Sequence, residues 1–446
     1  MREFLAAFRD VRYPRNVGLI SLSHGVNEFY TLVLPPIIPL LVADLSITYA
    51  QAGVLLTVFF VMYSVFQLPA GLLADRVGKK RLLVWGLLGM AGSLVVASTA
   101  RAYPTLVAAQ VLAGISGSTY HPTGMSLVSD LETGETEGKA MGVFGFGGML
   151  GTAAAPAAVG GIAAALDWRT ALLAAAGGGA LVTVGFRALY RPPEGGGRES
   201  ESGGGSGSGG GDPGGPAGAG PDGGAGAGTG AETSAARGAA ARVRERLRRV
   251  VQFRVTPGVV VLTAVTLLIS LQLRALHTFA TGFLVDGVGQ PTSAANGAFA
   301  ALLAASAVAS VWVGGLADRF DRARLGAAAA GLTSLLLAAT FPLTTVGLPR
   351  GLPTTVGLAG AFALLGLVLY GIMPVKNALI SEYATADSSG SLFGVTQTAS
   401  AVGSAVGPAL FGTVATAAGI GVAFPLIAAV SLLIAAGFLL LGSVGE

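Results

Sequence analysis

The chain has 446 residues, 52% of them hydrophobic and 11% charged, with a mean hydropathy of +0.70. A soluble domain carries about 25% charged residues, so this composition excludes a soluble globular protein and points to a chain that crosses a membrane many times. The net charge of +4 comes from basic residues in short flanks of apolar runs, which is not a nucleic-acid signal, and the absence of cysteine removes disulfide and thiolate chemistry.

Met1–Asn16 is basic and mildly amphipathic, and the apolar stretch behind it is too long for the h-region of a cleavable signal peptide. Twelve apolar spans follow, at 17–42, 50–73, 81–100, 104–128, 139–164, 168–190, 257–286, 294–316, 323–346, 354–380, 391–416 and 420–442. Each approaches the roughly 20 residues that a helix needs to cross a hydrocarbon core of about 30 Å. The expected fold is an all-α membrane protein. A cytoplasmic N-terminal segment (1–16) leads into a six-helix bundle (17–193), and residues 256–446 form a second bundle. Between the bundles, residues 194–241 are dominated by Gly, Ala and Ser. That composition buries too little apolar surface to order itself, so a flexible cytoplasmic linker is expected. Residues 242–255 carry arginines at 242, 244, 246, 248, 249 and 254, the pattern of a short basic helix on the membrane surface.

The basic residues set the orientation. With both termini in the cytoplasm, all of the 27 Lys/Arg fall in cytoplasmic segments except Arg101, Arg169 and Arg350, which fall outside, and Arg274 and Lys376, which lie within spans.

The two halves repeat each other. Gly71–Arg81 (GLLADRVGKKR) and Gly314–Arg324 (GGLADRFDRAR) share Gly71/Asp75/Arg76 and Gly314/Asp318/Arg319. Further on, Pro122, Leu127, Ser129 and Asp130 match Pro374, Leu379, Ser381 and Glu382, and Gly142, Gly151, Pro156 and Gly160 match Gly394, Gly403, Pro408 and Gly412. Parallel repeats of six spans are one way to build a transporter, with the substrate site at the repeat interface near the bilayer midplane.

Strongly polar residues inside spans are costly unless they face protein or water. Here they concentrate on four spans: His24, Asn27, Glu28 and Tyr30 on span 1; Gln110, Ser116, Ser118, Tyr120 and His121 on span 4; Gln272, Arg274 and His277 on span 7; Tyr370, Lys376 and Asn377 on span 10. His24, Asn27 and Glu28 stand at i, i+3 and i+4 and share one helix face. Glu28 is the one carboxylate well inside a span, so it is the candidate proton carrier; a structural ion pair, for instance with Arg274, is the competing reading. Arg274 and His277 stand one turn apart, and the planar Arg fork suits a carboxylate, phosphate or phosphonate. The candidate substrate-binding set is His24, Asn27, Glu28, Tyr120, His121, Arg274, His277, Lys376 and Asn377. Lys376 could instead snorkel to water, and His121, just before Pro122 where a bend is expected, could be a packing residue.

The pattern G-x-x-x-D-R-x-G-[KR]-[KR], complete in the first copy through Gly78, Lys79 and Lys80, resembles the loop between the second and third spans of major facilitator superfamily transporters. The second copy has Asp321 where the later Gly would stand and keeps Arg322 and Arg324. The resemblance implies two pseudo-symmetric six-helix bundles, a cavity lined by spans 1, 4, 7 and 10, and a cytoplasmic gate. The gate residues would be Gly71, Asp75, Arg76, Gly78, Lys79, Lys80, Gly314, Asp318 and Arg319, latched in the outward-open state and released in the inward-open one. Spans 5 and 11 carry glycines around Pro156 and Pro408, similar to a pattern of antiporters in the superfamily, although tight helix crossing explains them equally well. Ser21–Phe29 (SLSHGVNEF) and Ser118–Gly124 (STYHPTG) resemble the fosmidomycin-resistance branch, with departures at Thr123 and Ser126.

The sequence therefore points to a multi-pass cell-membrane protein working by alternating access, with proton-coupled efflux of a small organic anion or drug-like compound as the leading reading. Proton-coupled uptake by symport and a transporter-shaped sensor or scaffold stay open. No Ser/His/Asp spacing, P-loop or nucleotide-binding domain marks an enzyme or an ATP-driven pump. No cofactor is implied, and three histidines on different spans have no metal-site spacing. The expected partners are a small-molecule substrate, protons and the lipid bilayer, with a monomer as the family expectation.

Overall fold

The protein is described here from a computed structural model over residues 10–192, 256–317, 319–384 and 389–444. The linker 194–241, the basic segment 242–255, residues 1–9 and the gate residue Asp318 lie outside the described residues.

Span 1 is a broken helix: α1 (Pro14–Thr31), a 3₁₀ turn (Pro35–Ile37) and α2 (Ile38–Leu45). Spans 2 and 3 are α3 (Tyr49–Val77) and α4 (Lys79–Ser98). Span 4 is α5 (Tyr103–Gly117) plus α6 (Tyr120–Leu131), and spans 5 and 6 are α7 (Glu135–Ala165) and α8 (Trp168–Leu189). The second half comprises α9 (Pro257–Gly282) with a terminal π turn (Phe283–Gly287), α10 (Thr292–Ala317) and α11 (Arg322–Ala338), the last followed by the short α12 (Leu343–Val346). It ends with α13 (Leu352–Tyr383), α14 (Ser389–Ala418) and α15 (Ile420–Val444). Eleven of these stretches are individually long and apolar enough to cross a membrane. The twelfth span falls short only because α5 and α6 are separate helices. Leu68, Leu181 and Leu352 are among many exposed apolar side chains, as a surface solvated by lipid requires.

The break in span 4 lies at Ser118–Thr119, not at the His121–Pro122 position expected from sequence. Proline lacks an N–H and its ring clashes with the carbonyl four residues earlier. For Pro122 that carbonyl is Ser118, so the chain breaks one turn upstream and His121 falls in the first turn of α6.

The two halves reproduce one another in packing. α1 packs on α7 as α9 packs on α14, α4 on α8 as α11 on α15, and α3 on α5 as α10 on α13. An ion pair repeats as well: Lys79–Asp130 at 2.6 Å corresponds to Arg322–Glu382 at 2.9 Å. The turn that leads into these pairs is solved differently in each half. Gly78 has φ +91, a conformation L side chains avoid. Its counterpart Asp321 has an ordinary φ of −56 and caps α11 by accepting from the Arg324 amide at 2.7 Å. That cap is why the second copy does without the later glycine.

Glycines in spans 5 and 11 sit where helices cross. A Cβ on Gly151 would lie 2.6 Å from the Gly25 Cα, and one on Gly403 would lie 3.0 Å from the Leu271 amide nitrogen. Overpacking a tight contact costs about 1–3 kcal/mol. Gly151→Val and Gly403→Val are therefore expected to lower the melting temperature in detergent clearly more than Gly142→Val, whose side-chain direction is open. Gly71, by contrast, is not at a tight crossing: a Cβ there would meet only Pro122 Cβ, at an ordinary 3.8 Å.

The halves meet through α3 against α14 and α7 against α10. The hydrogen bonds that join them cluster at one end of the molecule. Tyr49 donates to Asp286 at 2.5 Å, the Ala50 amide to Thr416 at 2.8 Å, and Asn296 to the Pro36 carbonyl at 3.1 Å. At the opposite end the pairs made by the basic turns stay within their own half: Lys79 to Asp130, Lys80 to the Tyr190 carbonyl, and Arg322 to Glu382. Among the described residues, no ion pair or hydrogen bond links the Gly71–Arg81 turn to residues 319–324.

Asn296 holds both the Pro36 carbonyl and Thr281 while buried. Removing it leaves polar groups unsatisfied, at about 1–3 kcal/mol, and this loosens the seal. Asn296→Ala is therefore expected to lower the melting temperature in detergent relative to the wild type.

Candidate functional site

The polar groups of spans 1 and 4 converge in the first half. α1 presents His24, Asn27 and Glu28, and the break in span 4 turns His121 toward them. Glu28 Oε1 lies 3.4 Å from His121 Nε2 and 3.6 Å from His24 Nε2, and it accepts from Asn27 Nδ2 at 2.9 Å. Side-chain exposure rises from His24 (9%) through Glu28 (21%) to His121 (35%). The cluster is thus buried on the His24 side and open on the His121 side.

The walls behind His24 hold it rigidly. Its ring stacks on Phe144 at 3.9 Å between centroids and lies parallel to Tyr120 at 5.5 Å. Nδ1 donates to the Phe144 carbonyl at 2.8 Å. A carbonyl only accepts, so in the neutral ring Nε2 carries the lone pair and faces Glu28. Gly148 leaves the room the ring occupies: a Cβ there would meet His24 Nδ1 at 2.7 Å. The Tyr120 hydroxyl donates to the Ile20 carbonyl at 3.0 Å and pairs with Ser23 at 2.7 Å.

The second half contributes Arg274 and His277 from α9. Arg274 is half-buried, and its guanidinium lies over the Phe60 ring of α3, 4.4 Å from the centroid. This cation–π contact crosses between the halves. His277 is buried and shares a 2.9 Å hydrogen bond with the Tyr370 hydroxyl of α13. Tyr63 of α3 packs edge-on against His121, with ring centroids 6.0 Å apart.

Several expectations are revised by this geometry. Among the described residues, Glu28 makes no ion pair with Arg274; its neighbours are the two histidines and Asn27, while Arg274 stacks on Phe60. Asn27 and Tyr120 are fully buried and act behind Glu28 and His24 instead of facing the cavity. Lys376 and Asn377 stand six and seven residues beyond Tyr370 on α13, about 9–10 Å along the axis. No contact among the described residues joins them to the cluster. The three histidines do not stay apart: His24 and His121 meet at 5.3 Å between ring centroids, and with Glu28 they form a group whose ligand atoms lie within 4.8 Å of one another. Phe60, Phe144 and Tyr63 carry no signal in apolar spans, so sequence reasoning passed over them. Tyr370 and His277 both stood out as polar, but their pairing did not.

A separate apolar groove of about 800 Å³ runs between α1, α7 and α8, lined by residues such as Leu22, Phe29, Phe146 and Leu150. It does not include Glu28 or either histidine of the cluster.

The sequence family is decided by a match of the family model described as Major Facilitator Superfamily to residues 20–408. The chain belongs to the Major Facilitator Superfamily. It is a multi-pass membrane transport protein of this superfamily and not an enzyme. The fosmidomycin resistance protein of Escherichia coli K12 is 29% identical over 140 residues, covering 31% of this chain and 34% of that protein. The bacillibactin exporter of Bacillus subtilis 168 is 33% identical over 128 residues, covering 28% and 32%. The aligned regions thus span about a third of the length of these curated relatives. Among solved structures, a bacterial homologue of the human lysosomal transporter Spinster, in an inward-facing and occupied conformation, superposes with a TM-score of 0.73. It shares 15% identity, over 96% of each chain. This superfamily fold accounts for the paired six-helix halves.

Proposed function

We propose that this superfamily member is a proton-coupled secondary transporter that exports a small organic anion or drug-like compound by alternating access. The observation that carries the reading is Glu28, a carboxylate inside a membrane helix, held by His24, His121 and Asn27, with Arg274 of the other half lying over Phe60. Intramembrane ionisable groups of this kind mark ion and substrate pathways. In this scheme Glu28 carries the proton and Arg274 faces the anion. The seal around Tyr49, Asp286 and Asn296 closes the extracellular side, so the conformation is inward-facing with both termini in the cytoplasm. In this scheme the basic turns latch in the outward-facing state. The names of the Escherichia coli and Bacillus subtilis relatives, one a resistance protein and one an exporter, support export.

The test is substrate flux in proteoliposomes under an imposed pH gradient, with a panel of organic anions and phosphonates. The expected result is saturable flux opposite in direction to the proton gradient's collapse. Accumulation in the same direction as protons would replace export by symport. Absence of flux for every compound from folded protein would favour a sensor or scaffold.

A further inference from the structure

We infer that His24, Glu28 and His121 form a binding site for a divalent transition-metal ion of the zinc class, with one coordination position left to the cavity. Three observations carry it.

The first is spacing. Glu28 Oε1 stands 3.4 Å from His121 Nε2 and 3.6 Å from His24 Nε2. These separations exceed the 2.7–3.2 Å of ordinary N–H···O hydrogen bonds. Two ligands each bonded at about 2.0–2.1 Å to one tetrahedral ion lie about 3.3–3.4 Å apart. Both Glu28–histidine separations are close to that spacing, and all three ligand atoms lie within 4.8 Å of one another.

The second is an unpartnered atom. His24 Nε2 is buried without a hydrogen-bond partner and points at the other two ligand atoms. Leaving such an atom unsatisfied costs about 1–3 kcal/mol, and an ion satisfies it.

The third is the surroundings. Metal-bound histidines donate their other ring N–H to a carbonyl or carboxylate, and ligating carboxylates are themselves hydrogen-bonded. His24 does the first through the Phe144 carbonyl at 2.8 Å, and Glu28 the second through Asn27 at 2.9 Å. Stacking on Phe144 locks the His24 ring in place. Two imidazoles and one carboxylate suit zinc, nickel or iron, and the lack of thiolate argues against copper(I). Three protein ligands leave a fourth position for water or an exchangeable donor, and the 35% exposure of His121 puts that position on the cavity side.

The test uses the full chain in detergent micelles, purified without a histidine tag. Cobalt(II) is titrated and followed by visible absorption, and zinc by competition against it. The expected result is one tetrahedral cobalt spectrum per chain, displaced by zinc. Outer-shell changes cost about 10–100-fold in metal affinity, so replacing a ligand in His24→Gln, Glu28→Gln or His121→Gln is expected to cost at least about 100-fold. His277→Gln removes the remaining histidine, which is bonded to Tyr370, and is expected to leave metal affinity unchanged. Zinc is expected to raise the melting temperature of the wild type and of His277→Gln but not of Glu28→Gln, which separates lost binding from lost folding. Absence of saturable binding, or equal affinity in the wild type and the three ligand variants, would overturn the site. Because the readout is binding in detergent, this outcome is independent of whether transport is proton-coupled.

Discussion

Glu28→Gln is expected to abolish transport driven by a pH gradient while leaving substrate counterflow intact. The substitution keeps size and shape, and the Gln carbonyl still accepts from Asn27, which now donates to Oε1 at 2.9 Å. What is lost is the one carboxylate on this helix face. In alternating access the carrier reorients with either substrate or proton bound, and the coupling lies in forbidding the other exchanges. Without the carboxylate, the substrate-loaded carrier still reorients, so exchange of labelled for unlabelled substrate persists, but the proton gradient has no purchase. His121→Gln is expected to give a graded loss, because His121 is the more exposed neighbour of the carboxylate. Counterflow and gradient-driven uptake measured on the same vesicle preparation check this directly. Coupled flux unchanged in Glu28→Gln would remove Glu28 from the proton pathway.

The second large effect is expected at Arg274. Hydrogen bonds to charged groups are worth about 1.5–3 kcal/mol, so Arg274→Gln should weaken binding of an anionic substrate by roughly 10- to 150-fold. A neutral compound accepted by the same cavity should be little affected. Arg274→Lys should recover only part of the loss. A lysine keeps the charge but gives up both the planar donor fork and the stacking over Phe60, now 4.4 Å from the guanidinium. Equilibrium binding in detergent, across a matched set of anionic and neutral compounds, separates these outcomes. Equal losses for both classes would assign Arg274 to holding α9 against α3 instead of to substrate.

Much of this arrangement is legible in the sequence, for identifiable reasons. The twelve spans follow from hydrophobic length alone, since no other spanning structure but a helix satisfies its backbone in lipid without closing a barrel. That His24, Glu28, Arg274 and His277 are turned toward protein follows from the cost of polar groups facing lipid. The repeat seen in Gly71–Arg81 and Gly314–Arg324 reappears as the paired ion bridges Lys79–Asp130 and Arg322–Glu382.

Partner choice was not legible. Whether Glu28 meets Arg274 or the two histidines depends on the rotation of α1 against α6 and α9. That rotation is set by packing, notably the stacking of His24 on Phe144 with the Tyr120 ring parallel beside it. The histidines look unrelated along the chain because two whole spans separate span 1, which holds α1, from span 4, which holds α6. Pro122 signals a break, but the affected carbonyl lies one turn upstream, which moved the break to Ser118 and His121 into the cluster. Glycines mislead in a similar way: Gly71 reads like Gly151, yet only Gly151 faces a neighbouring backbone.

The most direct test of proton-coupled alternating access is simultaneous recording of substrate flux and luminal pH in proteoliposomes, the pH reported by a trapped dye. The account predicts that adding substrate on the side bearing the Gly71–Arg81 turn moves protons in the opposite direction, in fixed ratio to substrate, and that both signals vanish together in Glu28→Gln. Substrate flux with no accompanying change in luminal pH would contradict it.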